Sequence, residues 1–299
     1  MTDNSSAAAG PLSDNMRGSF LMVVAMAAFT FNDACMKALS TDLPLFQAIF
    51  LRGVLTVAGL ALIAVWTGGI RLRMPAQDGR MLGWRSFAEV GSTVTFLTAL
   101  QHMPLANLSA IMQSLPLAVT LAAAVFLRSP IGWRRLVAIG VGFLGVMLIV
   151  RPGTDGFDRW AVLGIVSVAL VVVRDLTTRQ LSADVPSSSV ALLAAVSVTV
   201  MAGLAMPFEG WQPVTPAAAA KIAGAGAFLI AGYLTIIMAT RVGDIGIVAP
   251  FRYTALVVAL VVGWFAFGQW PDGWTLAGAG IVIATGIYTF HRERSLARG

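Results

Sequence analysis

The chain is written twice. Residues 32–44 read NDACMKALSTDLP and residues 174–186 read RDLTTRQLSADVP. At one constant offset Asp33 matches Asp175, Leu39 matches Leu181, Ser40 matches Ser182, Asp42 matches Asp184 and Pro44 matches Pro186. Lys37 faces Arg179. In each copy the segment closes one long apolar run and opens the next. The later parts match as well: Gly132-Trp133 recurs as Gly273-Trp274, and Gly145 then falls on Gly286. A chain of this kind must fold as two versions of one unit.

Those apolar runs are too long and too pure for a soluble domain. The 299 residues are 58% hydrophobic and 11% charged, where a soluble domain carries about 25% charged residues. Polar breaks divide the chain into spans at 17–39, 44–66, 79–101, 104–127, 131–150, 159–181, 187–207, 217–241, 245–268 and 272–291. About 20 apolar residues cross a bilayer as a helix, so an all-α integral membrane protein of ten transmembrane helices is expected. Strands are disfavoured, because the runs lack period-two alternation. Residues 1–16 read as a disordered tail without a signal-peptide pattern, and 292–299 as a second short tail.

Residues 17–150 and 159–291 each hold five spans. Five is odd, so the second copy enters the membrane from the opposite side. The halves are therefore expected to be inverted repeats about an axis in the membrane plane, the plan of secondary transporters with a substrate held between the halves. The positive-inside rule sets the orientation. With the amino terminus cytoplasmic, the inner flanks hold Arg17, Arg71, Arg73, Arg80, Arg128, Arg134, Arg135, Arg179, Arg241, Arg292, Arg294 and Arg298. The outer flanks hold only Lys37, Arg151, Arg159 and Lys221. Both termini are expected in the cytoplasm. The net charge of +6 does not mark a nucleic-acid binder, because the basic residues sit at the ends of apolar runs rather than on one polar face.

Asn32, Lys37, Pro44 and Arg52 stand where the EamA-type branch of the drug/metabolite transporter superfamily tends to carry an Asn in helix 1, a Lys just after it, a Pro opening helix 2 and an Arg within helix 2. The chain resembles that branch over residues 17–291. The second copy keeps Arg179 and Pro186 but has Arg174 in place of Asn32 and Ala194 in place of Arg52. Within the branch it looks most like bacterial inner-membrane amino acid exporters, including those for aromatic amino acids. Inverted repeats of this kind give alternating access, and the resemblance implies a multi-pass location in the bacterial inner membrane and a central path lined by spans 3, 4, 8 and 9.

Polar groups inside the spans carry the chemistry, because an ionisable group in the bilayer costs at least a few kcal/mol and faces a cavity or a partner. Span 3 holds Arg85, Glu89, Ser92, Thr93 and Phe96 on one face. Span 4 holds Ser109, Gln113, Pro116 and Thr120 on one face, and span 8 adds Tyr233 and Thr235. In span 9 Arg252 stands opposite Gln113 of the first copy, two residues after Pro250. A zwitterion offers a carboxylate, which suits the bidentate fork of Arg252, and an ammonium, which suits Glu89. Gln113 can donate and accept, while Phe96, Tyr233 and Trp264 could form an apolar wall. The substrate-binding candidates are thus Glu89, Phe96, Gln113, Tyr233 and Arg252.

A second set reads as gates or ion pairs: Asp33, Lys37, Pro44, Arg52, Arg174, Asp175 and Pro186. Asp33 would pair with Arg52 and Asp175 with Arg252, while Pro44 and Pro186 would act as pivots. Each polar residue also has a structural reading. Arg85 and Glu89, four apart, could simply satisfy each other. Arg174 could snorkel to the headgroups, the aromatics could face lipid, and His102 reads as a loop residue. Small residues Ala138, Gly142, Gly145, Gly280 and Ala284 mark spans 5 and 10 as scaffold, with a homo-oligomer interface as a further use.

A carrier exporting small metabolites, chiefly neutral and aromatic amino acids, is the leading reading. A carrier of another metabolite or drug stands beside it, then a membrane-embedded enzyme and a narrow channel. No HExxH, aspartate-rich diphosphate motif or nucleophile near an intramembrane His supports an enzyme. No cofactor is called for, and two distant histidines with one cysteine make a metal site unexpected.

Overall fold

The computed structural model describes residues 11–66, 75–128, 131–151, 159–182, 185–242 and 244–297, and every regular element among them is helical. The first half runs α1 (Pro11–Leu39), α2 (Leu45–Trp66), α3 (Ala76–His102), α4 (Leu105–Met112), α5 (Leu115–Phe126) and α6 (Trp133–Val150). The second runs α7 (Arg159–Arg179), α8 (Ser187–Glu209), α9 (Pro216–Val242), α10 (Ile245–Val248), a 3-10 segment (Ala249–Tyr253), α11 (Thr254–Phe267) and α12 (Gly273–Ala297).

Nine helical stretches among the described residues are long and apolar enough to cross a membrane. α3 supplies the tenth crossing. Its 27 residues reach about 40 Å at 1.5 Å per residue, but Asp78, Arg80, Arg85 and Glu89 lower its hydropathy. The expected spans agree with these helices to within a few residues, except that α1 begins at Pro11 and α12 runs on to Ala297, each inside an expected tail. Residues 1–10, Arg71, Arg73, Asp184 and Arg298 lie outside the described residues, as does the Arg294 side chain.

Prolines punctuate the helix starts. Pro44 precedes α2, Pro75 precedes α3, Pro104 precedes α4 and Pro186 precedes α8. A residue without an N–H costs nothing there, because the first-turn donors have no partner within the helix. The same chemistry breaks two spans that read as continuous in the sequence. Pro116 and Pro250 cannot donate to the carbonyls four residues earlier. Around them the backbone tightens: Ser114 N donates to Ile111 O at 3.0 Å, and residues 249–253 wind as a 3-10 turn. α5 restarts two residues after Gln113, and α11 restarts two residues after Arg252, so both halves break at the matching point.

Helix pairing obeys the duplication. α1 packs on α9 and α3 packs on α7, and exchanging the halves turns one pair into the other. α2 packs on α8 and α6 on α12, each pair being its own image. The close approaches repeat too. A Cβ on Gly232 would stand 2.7 Å from the Phe29 ring, and one on Gly91 would stand 3.1 Å from Leu170. With five crossings per half, that exchange is a half-turn about an axis in the membrane plane. α6 and α12 touch backbone to backbone, where Gly145 Cβ would lie 2.8 Å from Gly278 O. Gly142 faces Leu117 and Thr285. Gly142 and Gly145 are thus used to join helices within one chain.

The two faces of the bundle differ. On the face that carries loops 40–44 and 210–215, the largest cluster of buried apolar residues runs through Leu39, Ile49, Leu100, Leu108, Val150, Ile222 and Val262. On the face that carries both chain ends, the apolar packing splits into two separate clusters. One joins Met22 and Met26 to Ala239 and Val248. The other joins Val119 and Ala123 to Val172 and Leu176. The molecule is sealed on the loop face and divided on the terminal face.

Candidate functional site

Between those two lesser clusters, and beneath the main one, lies a cavity of about 500 Å³. That size falls in the range of small-molecule sites. Its polar side chains come from both halves. α1 gives Asn32 and Asp33, α2 Arg52, and α3 Arg85, Glu89, Ser92 and Thr93. Gln113 enters from the break after α4, and Arg252 from the matching break of the second half. α7 gives Arg174 and Asp175, and α9 gives Tyr233. Helical spacing explains the α3 contribution: residues three and four apart share a face, so Arg85, Glu89, Ser92 and Phe96 all reach the cavity.

The charges form two groups. Glu89 sits between two arginines: Arg85 Nη2 lies 3.5 Å from Oε2 and Arg174 Nη1 3.5 Å from Oε1. Arg174 also holds Asp175, with Nη2 2.9 Å from Oδ1. Arg85 Nε donates to Thr178 Oγ1 at 3.0 Å, a further link from α3 to α7. The second group is built on an amide. Arg52 Nη1 donates to Asn32 Oδ1 at 3.2 Å, and Asn32 Nδ2 donates to Asp33 Oδ1 at 2.9 Å. Arg52 is buried, and its Nε has no hydrogen-bond acceptor. Arg252 lines the cavity with no carboxylate within ion-pair distance among the described residues.

The substrate-binding candidates Glu89, Phe96, Gln113, Tyr233 and Arg252 all line this one cavity, as do Asp33, Arg52, Arg174 and Asp175. Several expected partnerships differ. Asp33 does not meet Arg52 directly, because the Asn32 amide stands between them. Asp175 meets Arg174, its chain neighbour, rather than Arg252. Arg174 turns inward to two carboxylates instead of snorkelling. Trp264 is 52% exposed and packs edge-on against Trp270, outside the cavity. Thr120 and Thr235 bond their own helix backbones. The walls also use spans 1, 2, 6 and 7, which the family resemblance left out. Phe29, Thr30, Thr56, Ser167 and Thr199 belong to those walls. Small hydroxyls in apolar runs were the available signal.

Lys37, Pro44 and Pro186 lie outside the cavity. Lys37 works in the seal: its ammonium donates to Leu100 O at 2.7 Å and Met103 O at 2.8 Å, and lies 5.7 Å from the Phe267 ring centroid. Other cross-links share that face. Gln47 exchanges two hydrogen bonds with the Gln212 backbone, and Lys221 Nζ reaches Asp42 Oδ2 at 2.7 Å. Arg151 pairs with Asp272. His102 is the last residue of α3 and stacks on Trp160, centroids 3.8 Å apart. On the opposite face Asp78 accepts from Ser182 N and Oγ at 3.1 and 2.7 Å.

Comparisons with known proteins bear on the family and the fold. Residues 16–151 and 158–290 each match the model of the EamA-like transporter family. An S-adenosylmethionine uptake transporter of Rickettsia prowazekii is 23% identical over 284 residues, 93% of this chain and 94% of its own. A riboflavin transporter of Vibrio cholerae is 29% identical, covering 78% of each chain. A pseudopaline exporter of Pseudomonas aeruginosa is 27% identical over 92% of this chain and 96% of its own. One solved crystal structure superposes with a TM-score of 0.64 over 96% of this chain and 99% of its own, at 19% identity, and so shares the fold.

Proposed function

The chain belongs to the EamA-like transporter family, and we propose that this membrane transporter is an alternating-access carrier that exports metabolites of the amino-acid class. The observation that carries the substrate class is Arg252. It stands at the break of its span, faces the cavity and has no carboxylate partner among the described residues. A planar guanidinium in that setting suits a substrate carboxylate held by two parallel bonds. Gln113, at the matching break, adds a group that both donates and accepts. Phe96 and Tyr233 give the apolar wall that a neutral or aromatic side chain needs.

Alternating access draws on the contrast between the faces. One is closed by an apolar core and cross-links between the halves, while the other splits into two clusters around the cavity. The charge bias assigns the split face, with both termini, to the cytoplasm of a bacterial inner membrane. The conformer described is then the inward-open one. Pro44 and Pro186, each just before a helix that crosses to the other half, are the pivots.

A cavity of about 500 Å³ also favours a second reading, in which the substrate is a larger metabolite. Counterflow into proteoliposomes separates the two. Phenylalanine, leucine, glutamate, S-adenosylmethionine, riboflavin and a sugar nucleotide form the panel. Saturable exchange of phenylalanine or leucine is the expected result. Exchange confined to S-adenosylmethionine or riboflavin would replace the amino-acid reading with the second one. Turnover of a panel compound without flux would point to an enzyme.

A further inference from the structure

We infer that Asp33 is the coupling carboxyl of this carrier, holding a proton when the cavity is empty and releasing it when the ammonium of the substrate arrives. The inference rests on the amino-acid reading for the ammonium and on the structure for the residue. Three acids line the cavity. Glu89 is held between Arg85 and Arg174, and Asp175 by Arg174. Both already have cations. Asp33 has no cation within ion-pair distance among the described residues. Its one side-chain partner is Asn32 Nδ2, at 2.9 Å.

Arg52 would be the natural counter-ion, but its guanidinium ends on Asn32 Oδ1. A neutral amide thus separates the two charges. An ionised carboxylate at the cavity wall whose one side-chain partner is a neutral amide is poorly compensated, and a proton or a substrate cation supplies the missing partner. The charged and titratable groups that line the same cavity from the packed elements are Arg52 of α2, Arg85 and Glu89 of α3, Arg174 and Asp175 of α7, Tyr233 of α9 and Arg252 of the 3-10 segment. Lys221 of α9 lies toward the loop face and is held by Asp42. A substrate ammonium beside Asp33 favours the ionised carboxylate over the protonated one.

Position adds the second argument. Ala34, Met36 and Leu39, which follow Asp33 on α1, belong to the sealed core. Met26, Phe29 and Thr30, which precede it, line the cavity. Asp33 is therefore the acid of α1 at the border between cavity and seal, where exposure changes when one face opens and the other closes. The cycle balances. On the open side the carboxyl O–H breaks, the proton goes to water, and the ammonium donates to the carboxylate. On the far side the ammonium leaves and the carboxylate takes a proton from water there. One proton moves against one substrate.

Infrared difference spectroscopy of the protein in liposomes, titrated from about pH 5 to about pH 9, spans the range in which buried carboxyls titrate. A protonated-carboxyl band that titrates there in the unmodified protein and in Glu89→Gln, and is lost in Asp33→Asn, is expected. Phenylalanine counterflow should fall about tenfold per pH unit below that midpoint. The residual flux of Asp33→Asn should be flat with pH, and a pH gradient should no longer drive its accumulation. Asp33→Glu should restore the pH slope with a shifted midpoint. A band that survives in Asp33→Asn, or none in that range, overturns the assignment. So does phenylalanine counterflow that ignores pH in the unmodified protein. A band that belongs to Asp33 without any amino-acid exchange supports the assignment and overturns the substrate reading instead.

Discussion

Arg174 crosses from α7 to α3 and places Nη1 3.5 Å from Glu89 Oε1, while Nη2 stays 2.9 Å from Asp175. One guanidinium thus ties the two halves of the duplicated chain at the cavity wall. In the first half the corresponding residue is Asn32, which bonds the aspartate after it in the same way, at 2.9 Å. The geometry is shared between the halves, and the charge at the matching position is not.

The Glu89 carboxylate serves two arginines, so removing its charge should expose both. Glu89→Gln should lower stability by about 1–3 kcal/mol, read as a lower melting temperature in detergent. Arg174 is 27% exposed, and water screening holds the loss toward the lower end. Adding Arg174→Gln should recover part of the loss. A double mutant whose losses simply add would show that the pair is not coupled.

Lys37 predicts the behaviour of the seal. Its ammonium satisfies two carbonyls of the α3–α4 turn and lies near Phe267 of the second half. Lys37→Met keeps the apolar stem and leaves Leu100 O and Met103 O without that donor, at about 1–3 kcal/mol. The closed loop face should loosen. A cysteine placed at Leu43, buried in the seal, should react faster with a membrane-impermeant thiol reagent in a Cys35→Ala background. Unchanged reactivity would remove Lys37 from the seal.

Two glycines of α12 separate packing from propensity. A Cβ on Gly278 would stand 2.5 Å from Gly145 O, a backbone atom that cannot turn aside. Gly278→Ala should cost about 1–3 kcal/mol by overpacking. Gly280, two residues on, meets nothing within 4 Å, so Gly280→Ala should change stability by less than about 0.5 kcal/mol. Equal melting temperatures for the two variants would mean that α6 and α12 do not touch there.

Asp272 offers a test at the loop face, outside the bilayer spans. Partial burial raises its carboxyl pKa, but hydrogen bonds from Arg151 and Thr275 outweigh that, and the net shift is downward. Its Oδ1 also accepts from Thr275 N at 2.8 Å, an N-cap on α12. Asp272→Ala should cost about 0.5–2 kcal/mol. A depressed folded pKa stabilises above the unfolded value of about 3.9, and the contribution disappears as pH falls through the folded value. The difference in melting temperature between the two proteins should stay constant at neutral pH and shrink in acid. A constant difference down through that acid window would rule out the carboxylate.

Much of the fold was legible because hydrophobic runs and a repeated segment report directly on length and symmetry. The ten spans followed from runs such as 44–66, and the inverted order from the odd number per half. The two broken spans were not legible. A proline such as Pro116 kinks some helices and only ends others, and neighbouring packing decides which. The cavity side of α3 was readable because Arg85, Glu89 and Phe96 recur at helical spacing. Partner choice was not. Asp33 with Arg52 looked sound from depth alone, but Asn32 sits one residue away on the same helix and intercepts the guanidinium. Residue-to-residue pairing depends on side-chain rotamers that spacing cannot fix.

Arg252 replaces Gln113 of the first half at the point where both spans break, and it is the cavity arginine on which the substrate class turns. Its removal should cost a charge-assisted bond of about 1.5–3 kcal/mol, or roughly ten- to a hundredfold in affinity. Arg252→Gln should therefore raise the half-saturating concentration of phenylalanine in counterflow by that factor. Arg252→Lys should recover only part, because a point charge cannot form two parallel bonds with a carboxylate. The rival role is to neutralise Asp175. Asp175 already has Arg174 at 2.9 Å, so Asp175→Asn should not rescue Arg252→Gln. If the double mutant transports like the unmodified protein, Arg252 serves charge balance and the substrate carboxylate is held elsewhere, with Arg52 the next arginine to test.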